Sequence, residues 1–159
     1  MNVSDVLLWG FAGTVLLTSI MAASQGLGLS RMSVPYLLGT MMTANRDRAM
    51  LLGYLLHFIN GWMFAFAYAL AFESWGQSTW WLGSSIGLIH GLFVLLAGMQ
   101  LIPSMHPRMA NEQHGPTPTR GLQPPGFMAL NYGRRTPLAT LLAHLIFGAT
   151  LGAFYTLAA

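Results

Sequence analysis

Four long apolar stretches run along the chain, roughly residues 6–25, 49–72, 79–102 and 137–157. Each approaches the ~20 residues that a helix needs to cross the hydrocarbon core, so the pattern predicts four transmembrane helices. The polar segments between them are unequal. Residues 73–78 read Glu-Ser-Trp-Gly-Gln-Ser, a tight turn between the second and third spans. Trp75, Trp80 and Trp81 gather around it, as aromatic residues do at a membrane interface. Residues 33–44 form a shorter apolar piece flanked by Arg31 on one side and by Arg46 and Arg48 on the other. Ser33 can cap it and Pro35 suits a first helical turn. It is too short to span, and is expected as an interfacial or re-entrant helix.

Residues 103–136 form a long polar loop rich in Pro, Gly, Thr and Gln. Pro103, Pro107, Pro116, Pro118, Pro124 and Pro125 bar a long helix there, and on its own the loop should be floppy. The opening Met-Asn-Val-Ser-Asp lacks the basic n-region of a signal peptide, so the first stretch is read as a retained helix.

The second and fourth spans share one spacing. His57, Gly61 and Tyr68 answer to His144, Gly148 and Tyr155. Arg48 and Arg135 each lie nine residues before their histidine, and Leu51 and Leu55 answer to Leu138 and Leu142. The segment Gly13 to Met21 likewise lines up with Gly91 to Met99. The expected architecture is therefore an all-α integral membrane protein of four helices, built as two degenerate parallel helical-hairpin repeats. On a helix, His57, Gly61 and Tyr68 fall on one stripe, and His144, Gly148, Gly152 and Tyr155 on another. Small residues on such stripes let a neighbouring helix approach closely, and Gly87-x-x-x-Gly91 and Gly148-x-x-x-Gly152 have the form that does so.

Composition agrees with this reading and narrows it. Of 159 residues, 54% are hydrophobic and 7% charged, where a soluble domain carries about 25% charge. There is no cysteine, which removes disulfides, thiolate metal sites and a cysteine nucleophile. All seven arginines fall in the two long loops, and there is no lysine. The positive-inside rule then puts both long loops in the cytoplasm and both termini outside. A net charge of +3 confined to membrane loops does not suggest nucleic acid as a partner. The partners expected are the lipid bilayer and other membrane subunits.

The run Leu-Leu-His-Phe-Ile-Asn-Gly-Trp from Leu55, with Ala-His-Leu-Ile-Phe-Gly-Ala-Thr-Leu-Gly-Ala-Phe-Tyr from Ala143, resembles a family of small bacterial four-helix inner-membrane proteins, the YagU-like proteins. The stretch Thr14 to Met21 and the piece Pro35 to Gly39 match that family's pattern too, and the long Pro-rich loop departs from it. The resemblance implies a multi-pass protein of the bacterial inner membrane. It implies no activity.

The remaining chemistry rests on histidine and methionine. His57 and His144, at equal depth on facing helices, are candidate axial ligands of a haem b, with Arg48 and Arg135 placed to meet its propionates. His90 can join them in a three-histidine metal site. Met105, His106 and Met109 offer thioether and imidazole donors suited to Cu(I). The plainer reading is that each histidine hydrogen-bonds between helices and fixes packing. No acidic residue lies well inside a span, which disfavours an ion-coupled transporter or a membrane enzyme. The function expected is a non-catalytic accessory or assembly subunit of a larger membrane complex, respiratory or otherwise redox-active. The alternatives are a bis-histidine haem electron-transfer subunit and a small channel or transporter.

Overall fold

A computed structural model describes residues 1–111 and 113–158. Its helices are α1 (Val3–Gly26), α2 (Val34–Met42), α3 (Arg46–Trp75), α4 (Trp80–Phe93), α5 (Met99–Met105) and α6 (Thr136–Phe154). A π-helical turn over Val94–Gly98 joins α4 to α5, so Trp80–Met105 runs as one continuous rod. Four rods are long and apolar enough to cross a membrane: α1, α3, α4 with α5, and α6. The four expected spans therefore stand as helices, with ends displaced by a few residues.

The ends follow from local chemistry. The side chain of Asn2 accepts the Asp5 N–H to cap α1, and Asn45 accepts the Arg48 N–H to cap α3. Gly76, in the left-handed region at φ 63°, closes α3 as glycine readily can. Ser33 caps α2 through the Tyr36 N–H, and Pro35 sits in its first turn, where the missing N–H costs nothing. The sequence pattern carries the fourth span to residue 157, but α6 stops at Phe154. The reason is tertiary. Asp5 accepts the Thr156 N–H and Glu73 accepts the Ala158 N–H, and these bonds draw the tail off the helix axis and across the ends of α1 and α3.

α6 lies between α1 and α4, while α3 packs on α1 and on α2. The α4–α6 contact is made by glycine. A Cβ added at Gly83 would overlap the Gly148 carbonyl, one at Gly87 the His144 carbonyl, and one at Gly152 the Thr79 carbonyl. Gly83, Gly87 and Gly91 recur every four residues, so they form one ridge-free face. On the other side of α6, Phe147 fills the space in front of Gly13 of α1. α1 and α3 meet where Gly61 faces Thr14 and where Gly10 faces Ala65 and Trp62. α2 lies backbone to backbone on α3, with Gly39 against the Ala49 carbonyl and Gly53 against the Pro35 carbonyl.

The Pro-rich loop, expected to be floppy on its own, is packed against the end of the bundle. Met109, Ala129 and Pro125 are buried in it, and so is Met32 from the segment before α2. Leu122 N–H bonds to the Arg108 carbonyl, and Arg31 N–H to the Tyr132 carbonyl. The Ser30 and Thr136 hydroxyls meet at 2.9 Å. Pro103 does not end its helix, which continues to Met105. Together the two long loops form a cap over one end of the bundle, and the 76–79 turn lies at the other.

The glycine contacts give a direct test. Gly148→Ala should lower the melting temperature in detergent by the equivalent of ~1–3 kcal/mol, because the displaced atom is backbone and cannot move aside. Gly26→Ala, whose Cβ meets nothing within 4 Å, should leave it unchanged. Equal effects of the two would refute the interlock.

Candidate functional site

Three histidines sit inside the bundle, on three different helices. On α3, His57 Nε2 lies 3.1 Å from the Thr18 hydroxyl of α1. That hydroxyl has one proton and gives it to the Thr14 carbonyl at 2.6 Å. Thr18 therefore accepts, and His57 carries its proton on Nε2. On α6, His144 Nδ1 lies 2.8 Å from the Thr140 carbonyl, which can only accept, so this ring carries its proton on Nδ1. On α4, His90 Nδ1 lies 3.3 Å from the Tyr68 hydroxyl of α3.

His90 and His144 belong to one aromatic cluster. Their ring centroids are 4.7 Å apart with planes at 86°, edge to face. Phe64 covers His90 at 3.8 Å, and Tyr68 stands edge-on to Phe147 at 5.5 Å. Tyr68, Phe147 and His144 are buried. Glycine makes the seat possible, since a Cβ at Gly91 would lie 3.1 Å from the His144 Cβ. The structure thus sets His90, not His57, against His144. His57 turns away to α1.

A haem needs both iron-facing nitrogens aimed at one cavity wide enough for a flat macrocycle. The cavity beside His57, lined also by Thr18, Met21 and Tyr54, holds about 60 Å³, against ~300 Å³ or more for a small-molecule pocket. His57 Nε2 is engaged with Thr18, and His144 is packed against His90. As folded, these residues do not fit the group. Arg48 and Arg135 lie exposed near the starts of α3 and α6.

The methionine and histidine set at the loop end is dispersed. Met105 is 68% exposed, while Met109 and His106 are buried. Both nitrogens of His106 are already bonded. Nδ1 accepts the Arg108 backbone N–H at 3.1 Å, which leaves Nε2–H to donate to the Leu37 carbonyl at 3.1 Å, with the Thr40 hydroxyl at 3.2 Å. Among the described residues, no group of three or more His, Asp or Glu gathers around one point.

Tyr155, placed by spacing on the inner stripe of the fourth span, lies just past the end of α6. Its hydroxyl donates to Glu73 and accepts the Asn2 N–H at 3.0 Å. It ties three chain segments together at the turn end. Several residues that matter here drew little notice from spacing alone. Gly83 extends the Gly87, Gly91 series and was readable at the same four-residue interval. Thr40 and Arg108 act through contacts between segments far apart in sequence, for which no local signal exists, whereas Thr140 meets His144 one turn away on the same helix.

His106 makes the loop cap sensitive to pH. Burial is the main cause that lowers its pKa, the Arg108 charge lowers it further, and the hydrogen bond to the Leu37 carbonyl opposes both. A histidine depressed in the fold stabilises the neutral, packed state. That contribution is complete above the ordinary value of ~6.5 and is lost as pH falls through it. Once the intrinsic pH dependence of amide hydrogen exchange is divided out, protection over residues 103–111 and 113–126 should therefore fall between about pH 7 and 5. His106→Gln should flatten that dependence, and an unchanged profile in the variant would contradict the assignment.

Comparison of the chain with protein-family models, with curated proteins and with solved structures gives no match.

Proposed function

We propose that this protein is a non-catalytic accessory or assembly subunit of a larger membrane complex, held in a bacterial inner membrane with both long loops in the cytoplasm and both termini outside. The observation that carries the reading is the state of the intramembrane polar groups. His57 is bonded to Thr18, His144 to the Thr140 carbonyl and His90 to Tyr68. Each of the bonds between helices contributes roughly 0.6–1.7 kcal/mol in a bilayer. Side chains so engaged serve assembly of the bundle. They are poorly placed to bind a substrate or to line an ion path.

The duplication belongs to the same proposal. Leu51 and Leu138, at matching positions, are 74% and 68% exposed, and Arg48 and Arg135 are both exposed above them. Two equivalent outward stripes, each with a guanidinium at its loop end and leucines below, suit contact with anionic headgroups and with neighbouring helices. The three tryptophans around the 73–78 turn, all exposed, suit the opposite interface. A redox complex is the preferred host.

Two measurements test this. Purified from its own membranes in mild detergent, the protein should bring larger membrane subunits with it in fixed stoichiometry. Recovery of a lone chain, under conditions that keep known complexes whole, would contradict the proposal. The absence of cysteine makes accessibility labelling clean. Gln77→Cys should react with an impermeant maleimide added to intact spheroplasts, and Thr117→Cys only after lysis. The reverse pattern would invert the topology.

A further inference from the structure

The loop cap contains a cleft that packing does not explain. It lies between α2 and the loop residues 107–108 and 118–122, holds about 480 Å³, and is lined by Tyr36, Thr40, Pro107, Arg108, Thr119 and Leu122 among others. That volume is within the ~300–1,000 Å³ range of small-molecule sites. Among the described residues the lining includes one guanidinium and no carboxylate.

Arg108 is fixed in position. Its Nη1 donates to the Thr40 carbonyl at 2.6 Å and toward the Met41 carbonyl at 3.4 Å, at the C-terminal end of α2. Its backbone N–H is anchored on buried His106. A cation is well placed at a helix C-terminus, yet these two carbonyls engage Nη1 alone. Among the described residues no protein acceptor faces Nε or Nη2, so one planar edge of the guanidinium keeps its N–H donors free. A preorganised guanidinium edge matches two oxygens of one tetrahedral anion, and it loses little side-chain freedom on binding. Tyr36 and Thr119 are among the residues lining the same cleft, and each carries a hydroxyl that can donate to a further oxygen, the Thr119 hydroxyl lying 3.1 Å from that of Thr117. All seven arginines of the chain lie in the two long loops or in the first turn of α3 beside them, so the wider field also draws anions.

We propose that this cleft is a phosphate-binding site, with Arg108 as the fixed two-pronged donor and the Tyr36 and Thr119 hydroxyls as supporting donors. The phosphate belongs either to an anionic phospholipid headgroup at the membrane surface or to a soluble phosphate compound. The chemistry of recognition is the same for both. The proposal stands independently of the accessory-subunit reading, since a lone chain and a subunit could each carry the site.

The test uses the full chain in nanodiscs. In one arm the bilayer is phosphatidylcholine alone and inorganic phosphate is titrated at constant ionic strength against chloride. In the other, phosphatidylglycerol is added to the bilayer and retained lipid is read by native mass spectrometry. A saturable rise in melting temperature in the first arm identifies a soluble phosphate. A rise confined to the second, with lipid retained after detergent extraction, identifies a headgroup. In either case Arg108→Gln should weaken binding about 10- to 100-fold, as expected for losing charge-assisted hydrogen bonds. Because that variant also disturbs the end of α2, Tyr36→Phe and Thr119→Val provide a second reading. Neither touches the α2 carbonyls, and each should weaken binding several-fold. The proposal is overturned if neither arm shows stabilisation beyond chloride, or if binding persists unchanged in all three variants.

Discussion

Helices in a bilayer gain little from burying leucine against leucine, because lipid tails are as apolar as the side chains they replace. Association must come from close van der Waals contact and from polar bonds across the interface. In this chain the α4–α6 contact supplies both. Gly83 and Gly87 of α4 meet Gly148 and the His144 carbonyl of α6 at separations that leave no room for a Cβ on either side. α6 is therefore fixed on α4 on one flank, and on the other it presents Phe147 to Gly13 of α1. α3 is added through Thr14, facing Gly61, and through Ala65, facing Gly10. Remove the glycine face and the reference surface for the other three rods is lost.

The histidines follow from that packing. With α4 and α6 so close, His144 sits against Gly91, and there its ring meets His90. Tyr68 and Phe64 of α3 close over the pair. His57, one helix removed, finds an acceptor on α1 in the Thr18 hydroxyl. A polar group left unpaired in hydrocarbon would cost several kcal/mol. Each ring instead has a partner within hydrogen-bond distance. The matched spacing of His57 and His144 thus describes two packing solutions that use different partners, α1 for one and α4 for the other. No single shared ligand is needed to explain them.

How much of this was legible depended on range. The four spans were readable because length and apolarity are properties of single segments. The cap of α2 was readable from Ser33 and Pro35, and close approach from the glycine spacing. What failed was geometry between segments. Equal depth set His57 and His144 on facing helices, yet the ring that lies against His144 is His90. The reason is that α6 takes its place against the third rod through Gly83, Gly87 and Gly91, and this contact sets His144 beside His90. The loop was misjudged for a related reason. Its prolines do exclude a long helix, but the buried His106 is held by Leu37 and Thr40, far away in sequence. The end of α6 is set by Asp5 and Glu73, equally remote.

The central claim is that the intramembrane histidines hold helices together and carry no redox centre. Absorbance of the protein purified from its native membranes, oxidised and then dithionite-reduced, tests it most directly. The account predicts a flat difference spectrum, with His57→Ala and His144→Ala changing stability and not colour. A reduced b-type band that disappears in both variants would contradict it, and would require a bundle with His57 and His144 turned toward a common iron.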